Sequence, residues 1–405
     1  MDKETLRRYL YYSYLEARRH KVNSQSHQDF AKDLEKNLDK LCDDIFYWNY
    51  EISPSIYFIQ RDPVQREVFA GNFRDRIVHH LIFDIISPYR EKQFIYDSYS
   101  CRKWKWTSFG IKRISKFMRS CSDNYQNEWR ILKLDIQWYF MSINRDLLRN
   151  KVYEKLKNRE NLPWIKPKNP FYILTPISDK IPEYLIKVVH DIIYNDPTEN
   201  WIFRWKRSDY IWLPKTKSLF WANENCWLPI WNLTSQLFSN IYLNDFDHFV
   251  KEELKIKYYG RYVDDFVLIH NDKNYLLSLI PIIHDYLKEN EKLTLHPKKI
   301  YIQPISHGVQ FLGAIIKPYC IYRSKRTIWN IYRTLRDTDF HPCRESLDSY
   351  IWLLMHFKQY RLIQKILGKL DLTDKDNISE FALSFLDEKD FQEVVRKRRD
   401  LGMNF

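Results

Sequence analysis

"KYYGRYVDDFVLIH" (257–270) decides the fold. Two short β-rich runs meet at Asp264-Asp265, which reads as a hairpin with two carboxylates at its tip. Taken alone, an aspartate pair between two strands is more often a plain turn than a metal site. The balance changes with "WRILKLDIQWYF" (129–140), an apolar-rich strand that delivers Asp135 at its end. Between the two lies "TSQLFSNIYLNDFDHFVKEEL" (234–254), which reads as one amphipathic helix. Leu237, Ile241, Phe246, Phe249 and Val250 share a side of it, with Thr234 or Asn232 as cap. Two strand-end carboxylate positions side by side could hold a pair of hard divalent cations through oxygen. Such ions, about 3.5–4 Å apart, activate an attacking hydroxyl and stabilise leaving oxygens in in-line phosphoryl transfer. Mg²⁺ suits this use because it keeps waters and shares its shell with substrate phosphates.

The composition bounds the partners. The chain has 405 residues, 44% hydrophobic and 29% charged, so it is globular rather than disordered. A net charge of +13 together with 17% aromatics favours a polyanion, since cations neutralise phosphates and aromatic faces stack on bases. On composition alone, a basic protein with no nucleic-acid role stays open. The six cysteines (42, 101, 121, 226, 320 and 343) show no metal-ligand spacing, so neither structural zinc nor a disulfide framework is expected, and reduced intracellular thiols fit best. The first residues are charged at once, unlike a signal peptide. No apolar run reaches about 18 residues, so no membrane span is expected. A cytoplasmic protein is the expectation.

Working outward, residues 1–45 read as helical, with Phe30, Leu34, Leu38 and Leu41 at helical spacing. Residues 52–63 read as extended and turn-like, 73–86 as helix, and 151–225 as an irregular stretch rich in Pro, Lys and aromatics. Residues 295–318 return to β, and from about 325 the chain turns helical to its end. The order implies an α+β catalytic core with a helical appendage.

"YVDD" (262–265), "LKLDIQWYFMSI" (132–143) and "LPIWNLTSQLFSNIYLNDFDHFVK" (228–251) resemble reverse transcriptases. "REVFAGNFRDRIVHH" (66–80) and "DSYSCRKWKWTSFG" (97–110) look like the fingers segments of that family, and "HPKKI" and "GVQFLG" like its later palm motifs. The similarity runs in order from about residue 45 to 318. It implies a right-hand polymerase fold: a helical extension over 1–45, fingers and palm over 46–320 with an insertion near 150–225, and a helical thumb over 321–405. It also implies RNA-templated DNA synthesis with two Mg²⁺, Mn²⁺ being a possible substitute, held by Asp135, Asp264 and Asp265. Asp135 and Asp264 would bridge both ions. Phe140 falls where the family places an aromatic gate against the ribose 2′-hydroxyl. Arg66 and Arg74 occupy fingers positions suited to the incoming triphosphate, with a structural role as the alternative for either. Lys299 is a candidate for protonating or steadying pyrophosphate, a solvated surface lysine being its alternative.

Many members carry Gln-Gly-x-x-x-Ser-Pro before the helix of 234–254, where this chain has Ile230-Trp231-Asn-Leu-Thr-Ser235-Gln236. An aliphatic residue and a Gln at those two ends resemble the enzymes of diversity-generating retroelements. That group copies a template RNA with errors, mainly at adenines. The implied partners are template RNA, a DNA or RNA primer, dNTPs and a small basic accessory protein. Ile230 cannot hydrogen-bond an incoming nucleotide as Gln could, so looser base selection is expected. No His-Asn-His nuclease pattern or zinc-type cluster follows the thumb-like region, which argues against a full intron-type enzyme. An antiviral or retron-type enzyme is the alternative.

One number is out of line. The chain has 14 tryptophans and seven glycines. Against the family pattern, Trp48, Trp104, Trp106, Trp138, Trp227, Trp231 and Trp352 stand where glycine is expected. Glycine there would supply positive φ or let backbone approach a nucleic-acid strand without a Cβ. Overpacking such sites typically costs about 1–3 kcal/mol. A gene that spells glycine with UGA, translated by a code in which UGA means tryptophan, would produce this pattern. The alternative is a catalytically dead, nucleic-acid-binding relative in which the tryptophans are genuine.

Overall fold

A computed structural model of the chain describes residues 1–19, 21–60, 65–157, 181–203, 218–229, 232–372 and 378–400. The helical reading of residues 1–45 resolves into α1 (Lys3–Ala17), α2 (Gln25–Lys32) and α3 (Leu34–Phe46). The Asp2 carboxylate caps α1 by accepting the Thr5 N–H at 2.7 Å. Strands β1 (Ser55–Gln60) and β2 (Arg66–Ala70) pair antiparallel, from Ile56 opposite Ala70 to Gln60 opposite Arg66. Helix α4 (Phe73–Glu91) buries Ile77, Val78, Leu81, Ile82 and Ile85 and packs on α1. Next come α5 (Thr107–Cys121), β3 (Arg130–Asp135), the short α6 (Tyr139–Ser142) and α7 (Arg145–Lys157).

Two expectations need correction. The stretch 151–225 is not simply irregular, for it contains the end of α7 and helix α8 (Glu183–Tyr194), which buries Leu185, Val188, Val189, Ile192 and Ile193. Strand β4 (Trp201–Phe203) follows and pairs in parallel with β1, Ser55 opposite Trp201. Residues 234–254 are not one helix either. They divide into α9 (Leu233–Tyr242), α10 (Asn244–His248) and a wider π-type turn over Phe249–Glu253. The break is at Leu243, whose φ of −95° and ψ of 9° leave the α-helical region. Leu237, Ile241, Phe246 and Val250 are all buried, so the apolar periodicity runs straight across the break.

The hairpin forms as β5 (Tyr258–Tyr262) and β6 (Asp265–His270), followed by α11 (Lys273–Asn290). The β reading of 295–318 appears as β7 (Tyr301–Pro304), β8 (Val309–Phe311) and β9 (Ala314–Lys317), with β10 (Cys320–Arg323) just after it. Beyond it lie α12 (Lys325–Asp337), α13 (Arg344–Met355), α14 (Tyr360–Leu367), α15 (Glu380–Leu383) and α16 (Glu388–Asp400).

The chain divides into two compact units. The first comprises Met1–Trp106, Leu132–Leu268 and Asp272–Tyr301. Within it α4 packs on α9, α7 also packs on α9, and β6 lies between β5 and β3. The second comprises Thr107–Ile131, Ile269–Asn271 and the chain from Ile302 onward. Its sheet is antiparallel in the order β10-β9-β8, and its helical core gathers Ile331, Leu335, Leu347, Ile351, Leu354 and Ile363. The architecture is mixed α+β. The six cysteines are free, and no helix among the described residues is long and apolar enough to cross a membrane.

Candidate active site

Everything in the candidate site belongs to the first unit. Strand β3 is buried at Ile131, Leu132 and Leu134, with Lys133 only partly so, and Asp135 ends the strand in a buried position. The β5–β6 turn is tied to that strand end by backbone, the Ile136 N–H donating to the Asp264 carbonyl at 3.2 Å. The Asp135 carbonyl in turn accepts the His296 N–H at 2.8 Å. These bonds hold the ends of distant sequence segments together.

The electrostatics follow from that convergence. Burial, reinforced by the Asp135 and Asp265 carboxylates, pushes Asp264 up to about 7. Burial also raises Asp265, with the Lys133 ammonium pulling the other way. Lys133 Nζ lies 3.0 Å from Asp265 Oδ2, and Lys299 Nζ bonds both Asp135 oxygens at 3.0 and 2.9 Å. Burial opposes the Lys299 charge, but Asp135 and its two neighbours outweigh it and hold the ammonium above the ordinary lysine range.

The donor set suits a hard divalent cation: carboxylate oxygens only, mutually repelling, with Asp265 Oδ1 buried and lacking a hydrogen-bond partner. As the side chains stand, no group of three or more His, Cys, Asp or Glu among the described residues is drawn into ligand geometry. Two ammonium groups hold two of the three carboxylates. The residues therefore fit a cation by chemistry, with Lys299 and Lys133 as its competitors.

The other predicted residues sit as follows. Phe140 is half-buried in α6, and its carbonyl accepts the Leu228 N–H at 2.7 Å, which fastens the Leu228-Pro229 segment beside β3's exit. Gln236 is half-buried on α9, whose capping residue is Asn232; the Asn232 side chain accepts the Gly71 N–H at 3.3 Å. Arg66 is exposed at the start of β2. Arg74 is engaged elsewhere: it pairs with Asp44 at 2.8 Å, donates to the Glu51 carbonyl at 2.9 Å and lies over the Tyr50 ring. Its charge ties α4 to α3. Ile230 and Trp231 lie outside the described residues.

Sequence reasoning missed Lys133 and Arg261. Lys133 had a signal, being a cation between two inward leucines and two residues from the aspartate. Arg261 had little, since its partner Asp247 is named by no local pattern.

Three of the seven marked tryptophans have left-handed backbone: Trp48 (φ 68°), Trp104 (φ 66°) and Trp138 (φ 47°). No other tryptophan among the described residues does. Trp48, Trp104, Trp106, Trp138 and Trp352 are all exposed. Trp227 is different: it is buried, with the Arg145 guanidinium 3.7 Å from its ring centre and no partner for its indole N–H. Nothing in the backbone of Trp106 or Trp352 calls for glycine.

No protein-family model and no curated protein matches the chain. Solved structures do. Telomerase from Candida albicans, in complex with a fragment of telomeric RNA, is 13% identical with a TM-score of 0.45, over 86% of this chain and 64% of that one. Apo telomerase from Candida tropicalis is 14% identical with a TM-score of 0.45, over 87% of this chain and 59% of that one. The chain thus spans less than two thirds of the length of either. Likenesses this distant do not decide its activity.

Proposed function

We propose that the chain is an RNA-templated DNA polymerase, a reverse transcriptase of the diversity-generating retroelement type. The observation that carries this reading is the convergence of Asp135 with Asp264 and Asp265, joined through the Ile136–Asp264 backbone bond, where burial, with the two neighbouring carboxylates adding to it, pushes Asp264 to about 7. In this reading Asp135, Asp264 and Asp265 hold two divalent cations, Mg²⁺ or Mn²⁺. Bound there, the ions supply activation of the primer 3′-hydroxyl and charge neutralisation at the phosphates. The chain's own residues do the rest. Asp135 and Asp264 fix where the cations sit, and Lys133 screens Asp265. Lys299, an ammonium beside the cluster, would meet developing negative charge on the leaving phosphate. Phe140 crowds the ribose 2′-position and so favours deoxynucleotides.

The test is extension of a DNA primer on an RNA template. Asp135→Asn and Asp264→Asn should each abolish extension and leave template binding intact, because binding rests on the basic surface. Retained extension by either variant would refute the assignment. The retroelement subclass rests on Ile230 and Gln236. Equal misincorporation by the parent and Ile230→Gln on an adenine-rich template would remove its basis.

A second reading concerns the chain itself. The left-handed φ of Trp48, Trp104 and Trp138 supports glycine as the natural residue at these positions, because any Cβ is disfavoured there. Under that reading the seven marked tryptophans are products of a code that reads UGA as tryptophan. The codons test it: UGG at these positions would end the idea. It also predicts that the glycine-bearing chain polymerises while the chain with tryptophans does not.

A further inference from the structure

We infer that the buried Arg261–Asp247 pair is a positioning device that fixes the turn carrying Asp264. Both side chains are fully removed from solvent. Arg261, on β5, forks onto Asp247 of α10, Nε to Oδ1 at 2.7 Å and Nη2 to Oδ2 at 2.6 Å. The Tyr259 hydroxyl adds a third bond to Asp247 at 2.7 Å. This leaves Nη1, which donates to the Val263 carbonyl at 2.9 Å.

That last bond gives the pair its role. Val263 has φ 56°, a conformation that a β-branched residue adopts only under compulsion. Such strain persists where the surroundings over-determine it. Here the Val263 carbonyl is held by Arg261, and the next carbonyl, that of Asp264, is held by the Ile136 N–H. The two peptides that flank the Asp264 Cα are therefore each held through their carbonyls. The Arg261 backbone is itself anchored. Its backbone N–H donates to the Asp97 carbonyl and its carbonyl accepts the Tyr99 N–H, each at 2.9 Å. At the neighbouring position only glycine fits, since a Cβ on Gly260 would collide with the Tyr99 ring.

A buried ion pair is poor support for stability, because desolvation offsets most of its attraction. A lysine could balance the Asp247 charge. What lysine cannot do is fork onto a carboxylate and still reach a carbonyl on the other side. The geometry uses the feature of arginine that charge balance alone does not need. Arg261 does not touch substrate; it acts through the direction of Asp264.

The inference rests on the polymerase reading only for its kinetic test, so two measurements on the full chain are needed. The first is amide hydrogen exchange in Arg261→Lys and in the double variant Arg261→Met with Asp247→Leu, which leaves no orphaned charge. Losing the charge-assisted bond should make the amides from Tyr262 to Asp265 exchange about tenfold faster, while α4 and α11 stay as protected as in the parent. Unchanged exchange in the turn would overturn the inference. So would loss of protection throughout the chain in both variants, since that marks a purely structural pair. The second measurement is primer extension, where misaiming Asp264 should lower kcat about 100-fold with the KM for dNTP little changed. A fall in stability without a fall in kcat again overturns it. A parent that extends no primer either as it stands or with glycine at the seven marked tryptophan positions sinks the polymerase reading instead, and the exchange result then judges the turn alone.

Discussion

The left-handed tryptophans make a prediction whose sign is opposite to intuition. Glycine is normally the more damaging replacement for a large residue than alanine, because the unfolded chain gains freedom, costing about 0.5–1 kcal/mol. At Trp48, Trp104 and Trp138 the backbone reverses this, since φ is 68°, 66° and 47°. Alanine keeps the Cβ that disfavours this region by about 1–2 kcal/mol, and glycine escapes it. Subtracting the flexibility cost leaves glycine ahead of alanine by about 0–1.5 kcal/mol at each site, with a midpoint of roughly 0.75 kcal/mol. The comparison removes the indole from both arms, so lost packing cancels. Trp352 supplies the control: it lies inside α13 and is not among the positive-φ residues, so glycine should trail alanine there by about 1 kcal/mol. The assay is urea unfolding of the single variants in the full chain, followed by far-ultraviolet circular dichroism. Alanine matching or exceeding glycine at the three left-handed sites would refute the strain argument, and with it the structural support for glycine in the natural chain.

Other consequences are narrower. Arg74→Met should lower stability by about 1–2 kcal/mol, through the lost Asp44 pair and Glu51 bond, and leave the KM for dNTP unchanged. A raised KM with unchanged stability would instead return Arg74 to the triphosphate. His79 is buried against Thr234, and burial holds it neutral down to about 3. The unfolded chain takes up that proton below about pH 6.5, so the His79 contribution is intact above that pH and shrinks as pH falls towards 3. Between pH 7 and 5 the parent should lose about 2 kcal/mol more than His79→Phe, read from urea midpoints at the two pH values. Equal losses would show that His79 is protonated in the folded chain.

How legible the site was depended on how local its determinants are. Strand β3 was readable because Ile131, Leu132 and Leu134 make an apolar run with one carboxylate at its end. The β5–β6 tip was readable because Asp264-Asp265 interrupts two runs of strand formers. The break at Leu243 was not readable, because α9 and α10 bury the same face and the periodicity passes through it. Helix α8 did carry a helical pattern in "EYLIKVVHDIIY", but the Pro- and Lys-rich sequence around it hid the signal. The tryptophans were suspect by position alone. Only dihedral angles could separate Trp48, Trp104 and Trp138, where a Cβ is strained, from Trp106 and Trp352, where it is not.

The two lysines on the carboxylates lead to one last consequence. Three aspartates placed together repel, and that repulsion adds to the burial that raises Asp264 to about 7. Lys299, bonded to both oxygens of Asp135, offsets part of it in the absence of cations. Cation and ammonium therefore compete for the same oxygens. Lys299→Met should then have two linked effects: a lower melting temperature without divalent ions, and a larger gain when Mg²⁺ is added. Ligand binding to the folded state alone adds stability as the logarithm of its affinity, so a tenfold tighter site gains about 1.4 kcal/mol at saturation. The opposing signs matter, because a surface lysine with no part in the site would change neither quantity. Thermal melts of parent and variant across a Mg²⁺ series read both at once. A variant whose Mg²⁺ response is no larger than the parent's would show that Lys299 and the cation do not share Asp135.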